Sequence, residues 1–339
     1  MADPTEVLNS VRELAESWRA DRPSRQLRRS LDPGDFELLK STGFPQMAVP
    51  TQDGGNWEEV GTTARAVCEM LRTLSRADPS VALVSSMHPA VIAFWLLNPT
   101  DDPEWMRQRQ SVFETAVAGN QWGTITSEPG SGGDISRTLT RATLIEATSE
   151  LPGSSYALTG TKHFGSGSGI TSYMITTALV AETDEPAGFI LDVRDRPWEA
   201  GAGMSLVAEW DGMGMAATQS HAMSLDDMPA TRFAWDRSLD ELALDVAPFA
   251  SCLFTAVILG ILDEAVSEAR TVIAERATTL RAYEQTEWTQ AEMDHWLAVQ
   301  AYEGGLRALE SGDRPLYACS RTKQSVAGLA ESVLGRLTR

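Results

Sequence analysis

Between Trp122 and Trp235 the chain abandons helical spacing. On either side, apolar residues recur every three or four positions. Inside, they come in short alternating or β-branched runs cut apart by Gly, Pro, Asn and Asp. These runs are Thr140 to Ala147, Tyr156 to Thr159, Thr171 to Val180, Gly188 to Val193 and His221 to Leu225. This change of period predicts an α+β chain. Its N-terminal helical domain covers 1–118, a central β-domain 119–237 and a C-terminal helical domain 238–339.

The helical parts are specific enough to place. Val7, Val11, Leu14 and Trp18 share a face, and Asp32-Pro33-Gly34 opens a second helix to Thr42. An irregular passage follows, with Val49-Pro50 and Gly54-Gly55 as breakers. Glu58 to Arg76 and Val81 to Leu97 read as helices, the first with Val60, Ala64, Val67, Cys68 and Leu71 on one side. After Ser238 come Val246 to Ile273, Thr289 to Leu309 and Leu316 to Leu337.

Charge and cysteine usage narrow the function classes. A net charge of −19 repels phosphate backbones, so nucleic acid is excluded as a partner, and a polyanionic ligand needs a local basic pocket. Cys68, Cys252 and Cys319 are odd in number and far apart in sequence, which predicts buried thiols rather than a disulfide framework or a zinc cluster. The four histidines have no metal-ligand spacing either. The longest apolar run, Phe249 to Leu262, is too short for a bilayer and contains Ser251 and Thr255, so no membrane span is expected. Met1 to Glu6 has neither the basic nor the apolar region of a signal peptide, and the expected location is cytoplasmic.

Three stretches carry chemistry. Thr124-Ile125-Thr126-Ser127-Glu128-Pro129-Gly130-Ser131-Gly132-Gly133-Asp134 combines hydroxyls with glycines whose backbone N–H groups a planar ligand can approach. A plain turn fits the same letters. Tyr156 to Gly169 runs from a strand through Gly160 to Phe164, which can stack on a ring, and Ser166, which can reach a ring's polar edge. Trp210 to Ser220 is a glycine-containing turn leading to another strand.

In this order the motifs resemble the acyl-CoA dehydrogenase superfamily over nearly the whole chain. The resemblance rests on Val49-Pro50 with Gly54-Gly55, on Ala77 to Leu83, on Ser127-Glu128-Pro129-Gly130, on Leu158 to Ser168 and on Met213-Gly214-Met215. It implies a β-barrel-like central domain, a C-terminal helical bundle, a homotetramer or other homo-oligomer, and a flavin, FAD or FMN. Residue by residue, the implied flavin contacts are Thr124, Thr126, Ser127, Gly132, Gly133, Phe164 and Ser166. The implied activity is α,β-dehydrogenation of an acyl thioester by hydride transfer to the flavin, with an electron-transfer flavoprotein as redox partner.

Several expected residues are missing. Dehydrogenation needs a carboxylate base, and one position that supplies it corresponds here to Val246, with Asp245 turned about 100° away around a helix. The Arg-x-x-Phe-Gly block that holds a flavin pyrophosphate is not reproduced near Arg276 and Arg281, and the Gly-Gly block expected after Leu337 is absent. Phe164-Gly165-Ser166-Gly167 is instead similar to the turn of flavin-dependent monooxygenases on the same scaffold. Those use reduced flavin from a separate flavin reductase. On that resemblance Ser166 would hydrogen-bond the oxygenated flavin and His88 would deprotonate a small hydrophobic substrate. The alternative for His88 is a helix-end ring satisfied by backbone. A third reading is a non-catalytic partner subunit of a hetero-oligomer.

Overall fold

The computed structural model describes residues 3–130, 134–146 and 150–338. By internal packing the chain forms two units interleaved along the sequence. The first holds 26–57 and 87–246, and the second 3–25, 58–86 and 247–338. This grouping cuts across the three consecutive segments expected from the sequence, although among the described residues the strands lie between Trp122 and Arg232.

Helices α1 (Pro4–Ala20), α2 (Arg22–Gln26) and α3 (Pro33–Ser41) come first, then two short 3-10 turns at Phe44–Ala48 and Thr51–Asp53. The breaker loop closes because Gly54 sits at φ 89°, and because a Cβ on Gly55 would lie 2.0 Å from the Val49 carbonyl. Helices α4 (Val60–Ala77), α5 (Pro79–Leu96) and α6 (Pro103–Val117) follow. Helix α6 is not among the helices expected from apolar spacing. Its start is nonetheless written in Asp102-Pro103: the Asp102 carboxylate accepts from the Glu104 and Trp105 N–H groups at 2.9 and 2.8 Å.

Strands β1 (Trp122–Thr124), β2 (Arg141–Leu144), β3 (Ser155–Gly165), β4 (Tyr173–Val180), β5 (Pro186–Asp192), β6 (Met204–Ala208) and β7 (His221–Arg232) belong to the first unit. β4, β2, β3, β7 and β5 pair in that order, and β5 pairs back onto β4, closing a barrel. Closure removes the free edges that an open sheet exposes. β1 adds to β4 in parallel and β6 adds to β7. The inward residues form one apolar cluster that includes Leu158, Met174, Phe189, Leu191, Met223 and Leu225. Strands β3 and β7 run far past the short segments expected, because their pairing to each other, invisible to local periodicity, extends them.

The second unit contains α1, α4, most of α7 (Leu239–Glu275), α8 (Ala282–Ser311) and α9 (Pro315–Leu337). Helices α4 and α7 touch so closely that a Cβ on Gly260 would meet the Arg72 carbonyl at 2.3 Å. Buried or half-buried ion pairs fix the register, among them Arg72–Asp263 at 2.6 Å and Arg65–Glu310 at 2.5 Å. The expectation about bilayer-length segments needs correction. α5 and α7 are both long and apolar enough to cross a membrane by length and composition. Their most apolar windows are 83% and 56% buried inside the protein, which accounts for the composition by packing.

Candidate flavin-edge site

The three motif stretches meet in the first unit. Ser127 forms an isolated antiparallel bridge with His163, whose N–H donates to the Ser127 carbonyl at 2.8 Å. That bridge joins the first stretch to the second. Gly167 N–H donates to the Thr218 carbonyl at 2.8 Å and joins the second to the third. The Phe164 and Trp210 rings meet edge-on, with centroids 6.2 Å apart.

A buried ion pair locks the first junction. Lys162 Nζ donates to Glu128 Oε1 at 2.5 Å and to the Thr177 carbonyl at 2.6 Å. Glu128 also accepts from the Thr138 and Thr140 hydroxyls and from Leu139 N–H, at 2.5, 2.7 and 2.6 Å. Burial alone would raise the Glu128 pKa. Lys162 and these donors outweigh it and hold the carboxyl down at about 2. Burial draws the Lys162 ammonium below its usual range, against the pull of Glu128. Nothing in the spacing of Glu128 and Lys162 announces the pair, because the two stretches meet only in the folded chain.

The second junction carries a bulge. Pairing of β3 with β7 slips between Lys162 and Gly165, and Phe164 adopts φ 58°. Bulges re-aim side chains. Here the result is a ring 57% exposed, held in a backbone region that costs a non-glycine residue about 1–2 kcal/mol. Gly165 has no room for a side chain: a Cβ would lie 2.8 Å from Ile125 Cδ1. The turn therefore packs against the Gly123 and Ile125 side of the first stretch.

Of the expected contact residues, Thr124 lies on the other face of β1, its hydroxyl 3.8 Å from Met87 Sδ. Thr126 and Ser127 are half-buried, and their hydroxyls meet no protein partner among the described residues. Gly132 and Gly133 lie outside the described residues. Ser166 is nearly buried, its Oγ 2.8 Å from Ser220 Oγ, which lies 2.7 Å from Thr218 Oγ1. Ser220 and Thr218 went unnoticed in the sequence, because only the 165–169 turn brings them to Ser166.

His88, which the monooxygenase likeness offers as a base, has the backbone-satisfied environment that was its alternative reading. It is fully buried within α5; its Nδ1 accepts from Trp122 N–H at 3.2 Å and its Nε2 faces the Pro45 carbonyl at 3.0 Å. Both ring nitrogens are spent on backbone, which fixes the proton on Nε2. Burial lowers its pKa to about 4. His221 and His295, without evident partners in the sequence, also have them: Trp210 N–H donates to His221 Nδ1 at 2.9 Å, and His295 Nε2 meets Asp263 at 2.8 Å. Val246 is buried and Asp245 exposed.

No family model matches the chain. It is 26% identical to a dibenzothiophene monooxygenase of Rhodococcus erythropolis over 278 residues, 79% of this chain and 61% of that protein. A dibenzothiophene monooxygenase of Rhodococcus qingshengii is 25% identical over the same length. The chain thus spans about three-fifths of the length of these curated relatives. Among solved structures, FMN-bound TdsC from Paenibacillus sp. A11-2 superposes with a TM-score of 0.76 at 18% identity, covering 98% of this chain and 84% of that one. Butyryl-CoA dehydrogenase from Megasphaera elsdenii gives 0.78 at 17% identity, covering 99% and 87%. At such identities the structures speak for the fold, and the sequence likeness adds a direction within it. The chain therefore has the fold of the acyl-CoA dehydrogenases, and its sequence likeness is to dibenzothiophene monooxygenases.

Proposed function

We propose that the chain is a flavin-dependent monooxygenase that acts on a small apolar molecule with reduced flavin supplied by a separate reductase. The observation that carries this reading is the hydroxyl row Thr218–Ser220–Ser166. Three hydroxyls bring three protons to two internal hydrogen bonds, so one proton is left at an end of the row. Thr218 is fully buried, and a proton turned away from Ser220 there would cost about 1–3 kcal/mol as an unmet donor. The row is therefore polarised outward: Thr218 donates to Ser220, Ser220 donates to Ser166, and the Ser166 proton is left to donate to a ligand.

The remaining residues fit an isoalloxazine. Phe164 offers an exposed ring held in place by the bulge, and Thr126 and Ser127 offer hydroxyls that meet no partner among the described residues. A reduced flavin bound here would supply the activation of dioxygen. Ser166 Oγ would orient it and hold a proton at its edge. The dehydrogenation reading finds less support. The position it needs for a base is the buried Val246, and the neighbouring carboxylate of Asp245 is exposed. FMN is favoured over FAD, because the arginine block for a second phosphate is not reproduced and Arg276 is taken by Glu284 at 2.9 Å.

The test uses purified protein, a flavin reductase, NADH and dibenzothiophene or indole as probe, under isotopically heavy dioxygen. Product carrying one heavy oxygen atom is the expected outcome. Absence of oxygenated product, together with anaerobic bleaching of bound flavin by butyryl-CoA, would overturn the reading in favour of dehydrogenation.

A further inference from the structure

The chain's three cysteines, far apart in sequence, all lie in the core of the second unit: Cys68 on α4, Cys252 on α7 and Cys319 on α9. Two of them touch. Cys252 Sγ lies 3.5 Å from Cys319 Sγ, and Cys319 Sγ lies 3.6 Å from the Gly305 carbonyl of α8. Among the described residues no cluster suited to a metal ion involves them, so the pair is not a fragment of a metal site.

We infer that Cys252 and Cys319 are a latent redox pair, which hydrogen peroxide closes into a disulfide joining α7 to α9. The step balances without any further reagent. The Cys319 thiolate attacks a peroxide oxygen, giving a sulfenic acid and, after proton uptake, water. The Cys252 sulfur then attacks the Cys319 sulfur, the S–O bond breaks, and a second water leaves. Two thiols and one peroxide become one disulfide and two waters. The sulfurs must approach by about 1.5 Å to reach the bonded distance, a movement within reach of side-chain rotation. The hydrogen bond from Cys252 brings the Cys319 thiol below its ordinary value despite burial, so Cys319 is the first to react. Cys68 is fully buried, with its thiol pushed up by burial, and stays reduced.

The bond would close a loop across 67 positions of sequence, a span at which cross-links constrain the unfolded chain strongly. Because the sulfurs are buried, reaction proceeds through local opening and is slow.

The experiment is prolonged incubation of the full chain with hydrogen peroxide below its melting temperature, then denaturation, alkylation with N-ethylmaleimide and intact mass. Untreated protein takes up three adducts, one per cysteine. Oxidised protein is expected to take up one and to return to three after dithiothreitol, with the Cys252 and Cys319 peptides linked. Its melting temperature should rise by roughly 5 °C or more. Three adducts after peroxide, or added oxygen on Cys68 in place of a linked peptide, would overturn the inference. Cys319→Ala should take up two adducts with or without peroxide; should that variant fail to fold, the linked peptide in the wild type decides alone.

Discussion

Replacing Lys162 with Met removes the cation from a buried ion pair. Lys162 is fully buried, and its ammonium meets Glu128 at 2.5 Å and the Thr177 carbonyl at 2.6 Å. Methionine matches the stem in volume, so packing changes little and the loss is electrostatic. Glu128 keeps donors from Thr138, Thr140 and Leu139 but loses its counter-charge. Breaking a buried pair from one side costs about 3–5 kcal/mol. At roughly 2–4 °C per kcal/mol, the melting temperature should fall by about 10 °C. The double variant Glu128→Gln with Lys162→Met should recover most of this, because neither charge is then stranded.

The pH dependence carries a sign of its own. In the wild type the Glu128 pKa is depressed to about 2, so its contribution is present above the unfolded value and is lost as pH falls toward 2. In Lys162→Met, burial acts with no ammonium against it, and the carboxyl takes up a proton at higher pH than in the wild type. The stability gap between the two proteins should therefore narrow as pH falls from neutral to about 4. Thermal melts by circular dichroism across that range read it directly. A Lys162→Met protein as stable as wild type at neutral pH, or a gap that widens in acid, would refute the pair as the clamp between the two motif stretches.

Other substitutions separate structure from chemistry. Phe164→Gly relieves the positive φ and should stabilise the fold by about 1 kcal/mol while weakening flavin binding; chemical denaturation and flavin fluorescence measure the two effects separately. Ser166→Val should weaken flavin binding or turnover without unfolding the protein, and unchanged flavin affinity with unchanged turnover would count against the hydroxyl row. His88→Phe should lower stability by about 2–4 kcal/mol through the stranded Trp122 N–H and Pro45 carbonyl. Because the His88 pKa is lowered to about 4, its stabilising effect is present above the unfolded value and fades as pH falls toward 4, so activity profiles near neutrality should show no titration from it.

Much of this architecture was legible in the sequence, because helices and isolated strands announce themselves locally. The switch of period at Trp122, the face shared by Val7, Val11 and Trp18, and the breaker loop at Gly54-Gly55 all correspond to features in place. What escaped was set by pairing across distance. Barrel closure depends on β5 returning to β4, and the Phe164 bulge on a slip between β3 and β7. Ser220 reads as an ordinary strand-entry serine until the Ser166 turn is folded against it. That backbone would satisfy His88 was one of the two readings of its sequence; which groups do so, at Pro45 and Trp122, was out of reach. The three cysteines were correctly expected to be buried thiols, but nothing in their spacing showed that two would touch.

Titration of the purified chain with reduced FMN under anaerobic conditions tests the central claim most directly. If the three motif stretches form a shelf for an isoalloxazine, the wild type binds one flavin per chain, and Phe164→Gly and Ser166→Val bind it several-fold more weakly while keeping their circular dichroism spectra. A folded wild-type protein that binds neither reduced nor oxidised flavin, or two variants that bind as tightly as wild type, would contradict it.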